Sequence, residues 1–319
     1  MATALVTGAG GFVGAALVRH LLARGDDVTA VVRPGSALWR LDDVSGDVRI
    51  EAVDLGDLDA TNAAVARARP ECLFHLAAHG AYSWQDDVTR MIQVNVAGTA
   101  GLLDAFLRAD GRAFVNAGSS SEYGYKDHPP SETERLDPNS HYAITKAAAT
   151  HFCRDFAQTH GVRAVTLRLY SVYGPWEEPQ RLIPRLVVCA LDGRYPPLAD
   201  PATARDFVYV ADVCDAFVRA ANAADVAADA VINIGSSRQT TLAELVALAK
   251  RTFKIEREPA WASTPPRPWD TNVWVADARL AEQALGWRAR TTLESGLMQT
   301  AEWLRADPGI TDRYRTDLR

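Results

Sequence analysis

Cysteine is scarce, with four in 319 residues at positions 72, 153, 189 and 214, widely scattered and without a C-x-x-C pair. That excludes a disulfide framework or a zinc knuckle and points to a reducing, cytoplasmic setting. A basic surplus is also lacking. Lys and Arg number 34 against 40 Asp and Glu, a formal net charge of −6, so no nucleic-acid partner is expected. Long hydrophobic runs are missing as well. The strongest, residues 182–191, carries Arg185, and at about ten residues it is half of what a membrane crossing needs. The opening MATALVTGAGGFVG has no basic n-region of a signal peptide. His75 and His79 are four apart but fall on a strand-like run and a loop, so no metal is expected. What is present is 48% hydrophobic and 23% charged residues, the composition of a folded soluble protein. At roughly 150 residues per domain, the length suits two domains or one α/β domain with a second lobe.

Short β-rich runs alternate with longer helical stretches, the pattern of a parallel sheet covered by helices on both faces. Residues 3–7 (TALVT) read as a buried strand, and 12–24 place Val13, Leu17, Leu21 and Leu22 at helical spacing. Further strands are predicted over 28–33, 48–53, 72–77, 113–117 and 162–169, and helices over 57–69, 88–109 and 141–159. Beyond Gly174 the regularity loosens into a proline- and tryptophan-rich stretch, with returns to the sheet near 204–224 and 230–235.

Gly8-Ala9-Gly10-Gly11-Phe12-Val13-Gly14 joins the first strand to the first helix. Glycine there permits a tight turn, lets backbone approach a pyrophosphate and allows close helix packing. The helix N-terminus supplies N–H donors and a positive dipole end. Gly8, Gly11, Phe12, Val13 and Gly14 are therefore candidate cofactor-binding residues. At the end of the second strand, where an acidic residue commonly holds the ribose hydroxyls, the chain reads VVRPGS. With no carboxylate and Arg33 in its place, the cofactor expected is NADP rather than NAD, its 2′-phosphate held by Arg33 and Ser36 with Arg40 as a helper.

The G-x-x-G-x-x-G turn is followed in order by Asp54-Leu55, Leu76-Ala77-Ala78, Asn95 in NVAGT, Tyr142-x-x-x-Lys146 and Arg205-Asp206-Phe207-Val208-Tyr209-Val210. This ordered set, from residue 3 to near 280, resembles the extended short-chain dehydrogenase/reductases, the NAD-dependent epimerase/dehydratase family, in its nucleotide-sugar-modifying branch. The resemblance implies an α/β, Rossmann-type doubly wound parallel sheet with a smaller C-terminal substrate-binding lobe. Residues 1–174 would form the NADP-binding domain with returning segments at about 204–235, and 175–203 with 236–319 the lobe. It also implies that Asp54 and Leu55 lie near the adenine, that Leu76, Ala77, Ala78 and Asn95 line the cofactor site, and that helices 88–109 and 141–159 form a homodimer interface.

Tyr142 and Lys146, four apart on a helix, project from one face. A phenol with a pKa of about 10 is a poor base at neutral pH, and a nearby ammonium favours its phenolate. In the family's arrangement Tyr142 exchanges a proton with a sugar hydroxyl or ketone while Lys146 holds the nicotinamide ribose. A hydroxyl from NAGSSSEYG would align the reacting oxygen. Alignment from Glu122 selects Ser120 and alignment from Tyr123-Gly124 selects Ser119, of which Ser120 is preferred. Glu122 sits where 4,6-dehydratases carry a proton-abstracting glutamate, although a loop-capping role also fits. The short serine-glutamate-tyrosine spacing is similar to that of GDP-4-keto-6-deoxymannose reductases. Ser171, Arg205 and Arg267 fall where nucleotide-sugar members contact substrate, and arginine forks suit a diphosphate. The reading favoured is an NADPH-dependent 4-keto-sugar reductase. The alternatives are a 4-epimerase or 4,6-dehydratase with recycled cofactor, a reductase of a non-sugar ketone, and a non-catalytic redox-sensing module.

Overall fold

The computed structural model describes residues 2–224, 226–263 and 271–317. It opens with β1 (Thr3–Thr7), α1 (Phe12–Ala23), β2 (Asp27–Val32), β3 (Arg49–Ala52), α2 (Leu58–Ala68) and β4 (Cys72–His75). α3 (Val88–Met91) passes through a π-helical turn at Ile92–Ala97 into α4 (Gly98–Arg108), followed by β5 (Ala113–Ser119), α5 (His141–His160), β6 (Arg163–Leu169) and β7 (Ser171–Tyr173). Then come α6 (Leu182–Leu191), β8 (Ala204–Tyr209), α7 (Val210–Asn222), β9 (Val231–Ile234), β10 (Gln239–Thr241) and α8 (Leu242–Phe253). The chain closes with α9 (Arg279–Leu285), α10 (Leu293–Ala306) and α11 (Pro308–Thr316).

Seven parallel strands pair in the order β3-β2-β1-β4-β5-β6-β9, the Rossmann-type α/β fold expected. The order reverses between β1 and β4, and a crevice opens at the carboxyl ends of the strands where such a reversal occurs. Because successive side chains alternate across a strand, Ala4 and Val6 pack with Leu17, Val18 and Phe217 on one face. Leu5 packs with Val65, Leu102, Phe106 and Phe156 on the other. With both faces covered, the strands read as continuous apolar runs. A third core gathers Leu186, Val187, Leu245, Leu297 and Leu304 around Tyr173 and Tyr209.

Two expectations are corrected. The helix over 88–109 is interrupted by the π-helical turn that holds Asn95, whose side chain is engaged by three partners at once (below); such turns recur at functional sites. Residues 204–209 do not return to the main sheet: β8 pairs parallel with β7 and antiparallel with β10 in a separate three-stranded sheet. The free edge of β6 is taken by β9 instead, Thr166 opposite Val231 and Leu169 opposite Ile234. All four cysteines are buried free thiols. Among the described residues no helix is long and apolar enough to cross a membrane and no cluster of His, Cys, Asp or Glu is placed to hold a metal.

Candidate active site

A cleft of about 1320 Å³ runs along the strand ends, from the glycine turn past Ser119 and Tyr142 to Arg181, Arg185 and Arg205. Its floor at one end is the glycine turn. Gly8 has φ +68°, and a Cβ there would lie 2.6 Å from the backbone N of Ala77. A Cβ on Gly14 would lie 2.2 Å from the Gly8 carbonyl oxygen. The turn therefore tolerates only glycine at both positions, and the Leu76-Ala77-Ala78 segment packs directly on it. Gly11 caps α1 without a side-chain partner, which leaves the first N–H groups of the helix free for an anion. Phe12, Val13 and Leu55 line the same end of the cleft. This cradle fits a dinucleotide pyrophosphate.

Arg33 stands exposed at the cleft rim just after β2, and the Ser36 hydroxyl donates to its carbonyl at 2.6 Å. Arg40 lines the cleft with them but is mostly buried, with Nε donating to the Trp176 carbonyl at 2.7 Å and Nη2 3.3 Å from Glu178. Asp54 receives Arg90 Nη2 on both oxygens at 2.8 Å, which holds its carboxyl below the usual range. Asn95 accepts from the His79 N–H at 2.8 Å and donates to the His79 carbonyl at 2.8 Å and to Thr145 Oγ1 at 3.0 Å. It thus ties the loop after β4 to the helix that carries Tyr142.

Ser140 caps α5, and the helix places Tyr142 at the cleft and Lys146 one turn on, buried behind the wall. Ser119 lines the same cleft as Tyr142, and its hydroxyl lies 2.7 Å from that of Ser121. Burial pushes the Tyr142 phenol up to about 12, against the opposing pull of Ser119 and of the Arg181 charge. Burial thus acts against the lowering expected beside Lys146 and an oxidised nicotinamide. Burial in turn lowers the Lys146 ammonium. Ser119 is the last, extended residue of β5, with φ −143° and ψ 139°, and Ser120 starts the tight turn that follows. Both line the cleft with Tyr142, and the geometry leaves either hydroxyl able to serve it.

Glu122 is likewise corrected as a candidate base, because it lies outside the cleft wall and is wholly enclosed. Oε1 accepts the Ser119 N–H at 2.8 Å, and Oε2 accepts from Thr150 Oγ1 and Arg168 Nε, both at 2.9 Å. Its role is to brace the serine turn. Arg168 also donates to the Tyr123 hydroxyl at 2.9 Å, which donates to Asn233 Oδ1 at 2.8 Å, so the turn is pinned to β6 and β9.

On the far side Ser171 and Arg205 line the cleft, Arg205 with its guanidinium 5.7 Å from the Trp274 ring. Asp206 accepts from the N–H groups of Ser236, Ser237 and Ala276 and so ties β8 to the segments after β9 and before α9. Arg267 lies outside the described residues. Tyr82, Trp84, Tyr170, Arg181 and Arg185 also line the cleft, and the sequence reading missed them. Tyr82 and Trp84 are stacked at 4.7 Å; their one signal was two aromatics in a loop that otherwise needs none.

The family model for the NAD dependent epimerase/dehydratase family matches residues 4–235. UDP-glucose 4-epimerase of Mycolicibacterium smegmatis is 32% identical, over 94% of this chain and 98% of that one. dTDP-glucose 4,6-dehydratase 1 of Escherichia coli is 28% identical, over 98% of this chain and 95% of that one. The chain spans about half, 47%, of a longer trifunctional dehydratase, epimerase and reductase of Arabidopsis thaliana. Among solved structures, MoeE5 in complex with UDP-glucose and NAD superposes with a TM-score of 0.83 at 33% identity, covering 95% of this chain and 98% of that one.

Proposed function

This chain belongs to the NAD dependent epimerase/dehydratase family, whose members compared above are enzymes acting on nucleotide sugars, and on that footing we propose that it is a nucleotide-sugar 4-epimerase. The expected 4-keto-sugar reductase gives way, because full-length relatives are epimerases and dehydratases. Between those two, the enclosure of Glu122 carries the choice. Dehydration needs a base that removes a proton beside the keto carbon, and this carboxylate is committed to Ser119, Thr150 and Arg168. Epimerisation needs hydride exchange at C4, which a bound nicotinamide would supply, and proton exchange at the C4 oxygen, for which Tyr142 and the serines line the cleft; it needs no base beside the keto carbon.

Gly8, Gly11, Gly14 and Arg33 would hold the dinucleotide, which would supply reversible hydride exchange at the sugar C4. With the lysine ammonium and an oxidised nicotinamide nearby to favour its phenolate over the phenol, Tyr142 would accept the O4 proton as the carbonyl forms and give it back on reduction. Ser119 holds that oxygen in line, and buried Lys146 supplies positive charge one helical turn away. Arg205, with Arg267, would grip the diphosphate. We read the cofactor as NADP on the strength of Arg33 and the missing strand-end carboxylate, although MoeE5 carries NAD. We also read the protein as a homodimer, because Ile144 and Phe152 are exposed on α5, and Ile92 beside it.

Incubation with UDP-glucose and dTDP-glucose, read by mass spectrometry and NMR, tests this. Unchanged mass with a new C4 isomer and no cofactor consumption is expected. Loss of a water would mean a dehydratase, and an NADPH-dependent gain of two hydrogens from a 4-keto sugar would restore the reductase.

A further inference from the structure

Tyr170 links β6 to β7, and its backbone is fixed from both sides: its N–H donates to the Ile234 carbonyl at 3.0 Å and its carbonyl accepts from the Val172 N–H at 2.9 Å. The ring is 7% exposed, and the hydroxyl is buried with no hydrogen-bond partner. An unpaired buried hydroxyl is unfavourable, so such a group calls for an occupant. Tyr173 and Tyr195 also bury unpaired hydroxyls, but neither lines the cleft, whereas Tyr170 does. Tyr170 also borders a cavity of about 20 Å³ that it shares with Ser120 and Trp274. Ser119, Ser120, Tyr142 and Tyr170 line one cleft. A sugar seated with its reacting oxygen at the serines and Tyr142 would have Tyr170 among the wall residues available to a neighbouring substituent.

We propose that the Tyr170 phenol donates a hydrogen bond to an oxygen on a carbon flanking the reacting one. It thereby orients the sugar and selects oxygenated sugars over those deoxygenated at that carbon. This rests on the nucleotide-sugar reading above. The competing explanation is one trapped water, for which a cavity of this size has room.

The test is calorimetric binding to wild type and Tyr170→Phe, with UDP-glucose and dTDP-glucose, their singly deoxygenated analogues, the bare nucleoside diphosphates and the dinucleotide as probes. Loss of one hydrogen bond is expected to raise the Kd of the nucleotide sugar about tenfold while the Kd values for nucleoside diphosphate and dinucleotide stay put. One deoxy analogue should bind both proteins equally. Equal sugar Kd values for the two proteins, with or without a lower Tm in the variant, would overturn the proposal and leave the water. A parallel rise for sugar and bare diphosphate would overturn it too. Wild type that binds the dinucleotide but no nucleotide sugar would instead sink the functional reading on which it rests.

Discussion

Arg168 Nε and Glu122 Oε2 meet at 2.9 Å in an ion pair almost wholly shut off from solvent, with side-chain exposures of 4% and 0%. Removing one partner of such a pair strands a buried charge and costs about 3–5 kcal/mol. Glu122→Gln is therefore expected to lower unfolding stability by that order in urea titrations, with activity lost only as folded protein is lost. A variant of wild-type stability that has lost turnover would identify Glu122 as a catalytic acid or base.

Ser119 and Ser120 differ by one position, and their alanine variants separate their roles. Ser119→Ala and Tyr142→Phe should each lower kcat by about 10²–10⁴ with little change in dinucleotide Kd. Ser120→Ala should act mainly on KM. A larger kcat loss at Ser120 would return the catalytic hydroxyl to that residue.

On the NADP reading proposed above, Arg33 carries the cofactor preference. Charge-assisted hydrogen bonds contribute roughly 1.5–3 kcal/mol, so Arg33→Ala should weaken NADP binding by about ten- to hundredfold and leave NAD unchanged. Fluorescence titration that finds NAD the tighter ligand of the wild type would remove the NADP assignment.

Burial pushes the Glu177 carboxyl up to about 8 from its ordinary 4.5, and Oε2 has no partner. The folded protein then holds a proton that the unfolded chain gives up between these pH values. Stability accordingly falls as pH rises from 4.5 to 8, with a slope approaching 1.4 kcal/mol per pH unit from this group. Glu177→Gln should flatten that slope and gain relative stability at pH 8. Parallel wild-type and variant curves from pH 5 to 8 would disprove it.

Ile144 and Phe152 are 50% and 43% exposed, eight residues apart on α5. If this face joins two copies, Phe152→Arg should convert a dimer to a monomer in sedimentation at micromolar concentration. A wild type that already sediments as a monomer would end the dimer assignment.

The elements of the sheet and the glycine turn were legible because their constraints act between neighbours along the chain. Alternation of apolar residues marks a strand, Gly8 and Gly14 mark a turn without room for a Cβ, and the i, i+4 spacing puts Tyr142 and Lys146 on one helical face. The helix at 88–109 was legible in extent but not in its π-turn, since that depends on Asn95 meeting Thr145 fifty residues on. The place of residues 204–209 was misread because pattern does not say which strand edge is still free.

By itself the sequence determined a parallel nucleotide-binding sheet, a phosphate cradle at Gly8–Gly14, and Tyr142 with Lys146 as a candidate reacting pair, all signals carried by local spacing. Only the tertiary structure decided that the Ser119 N–H is held by Glu122, that Glu122 is consumed by Arg168, that Arg40 serves Trp176 and Glu178, and that the Tyr170 hydroxyl is left without a partner. Each of these depends on which polar group lies within hydrogen-bond reach. The partners come from segments as much as 138 residues apart, and packing alone brings them together.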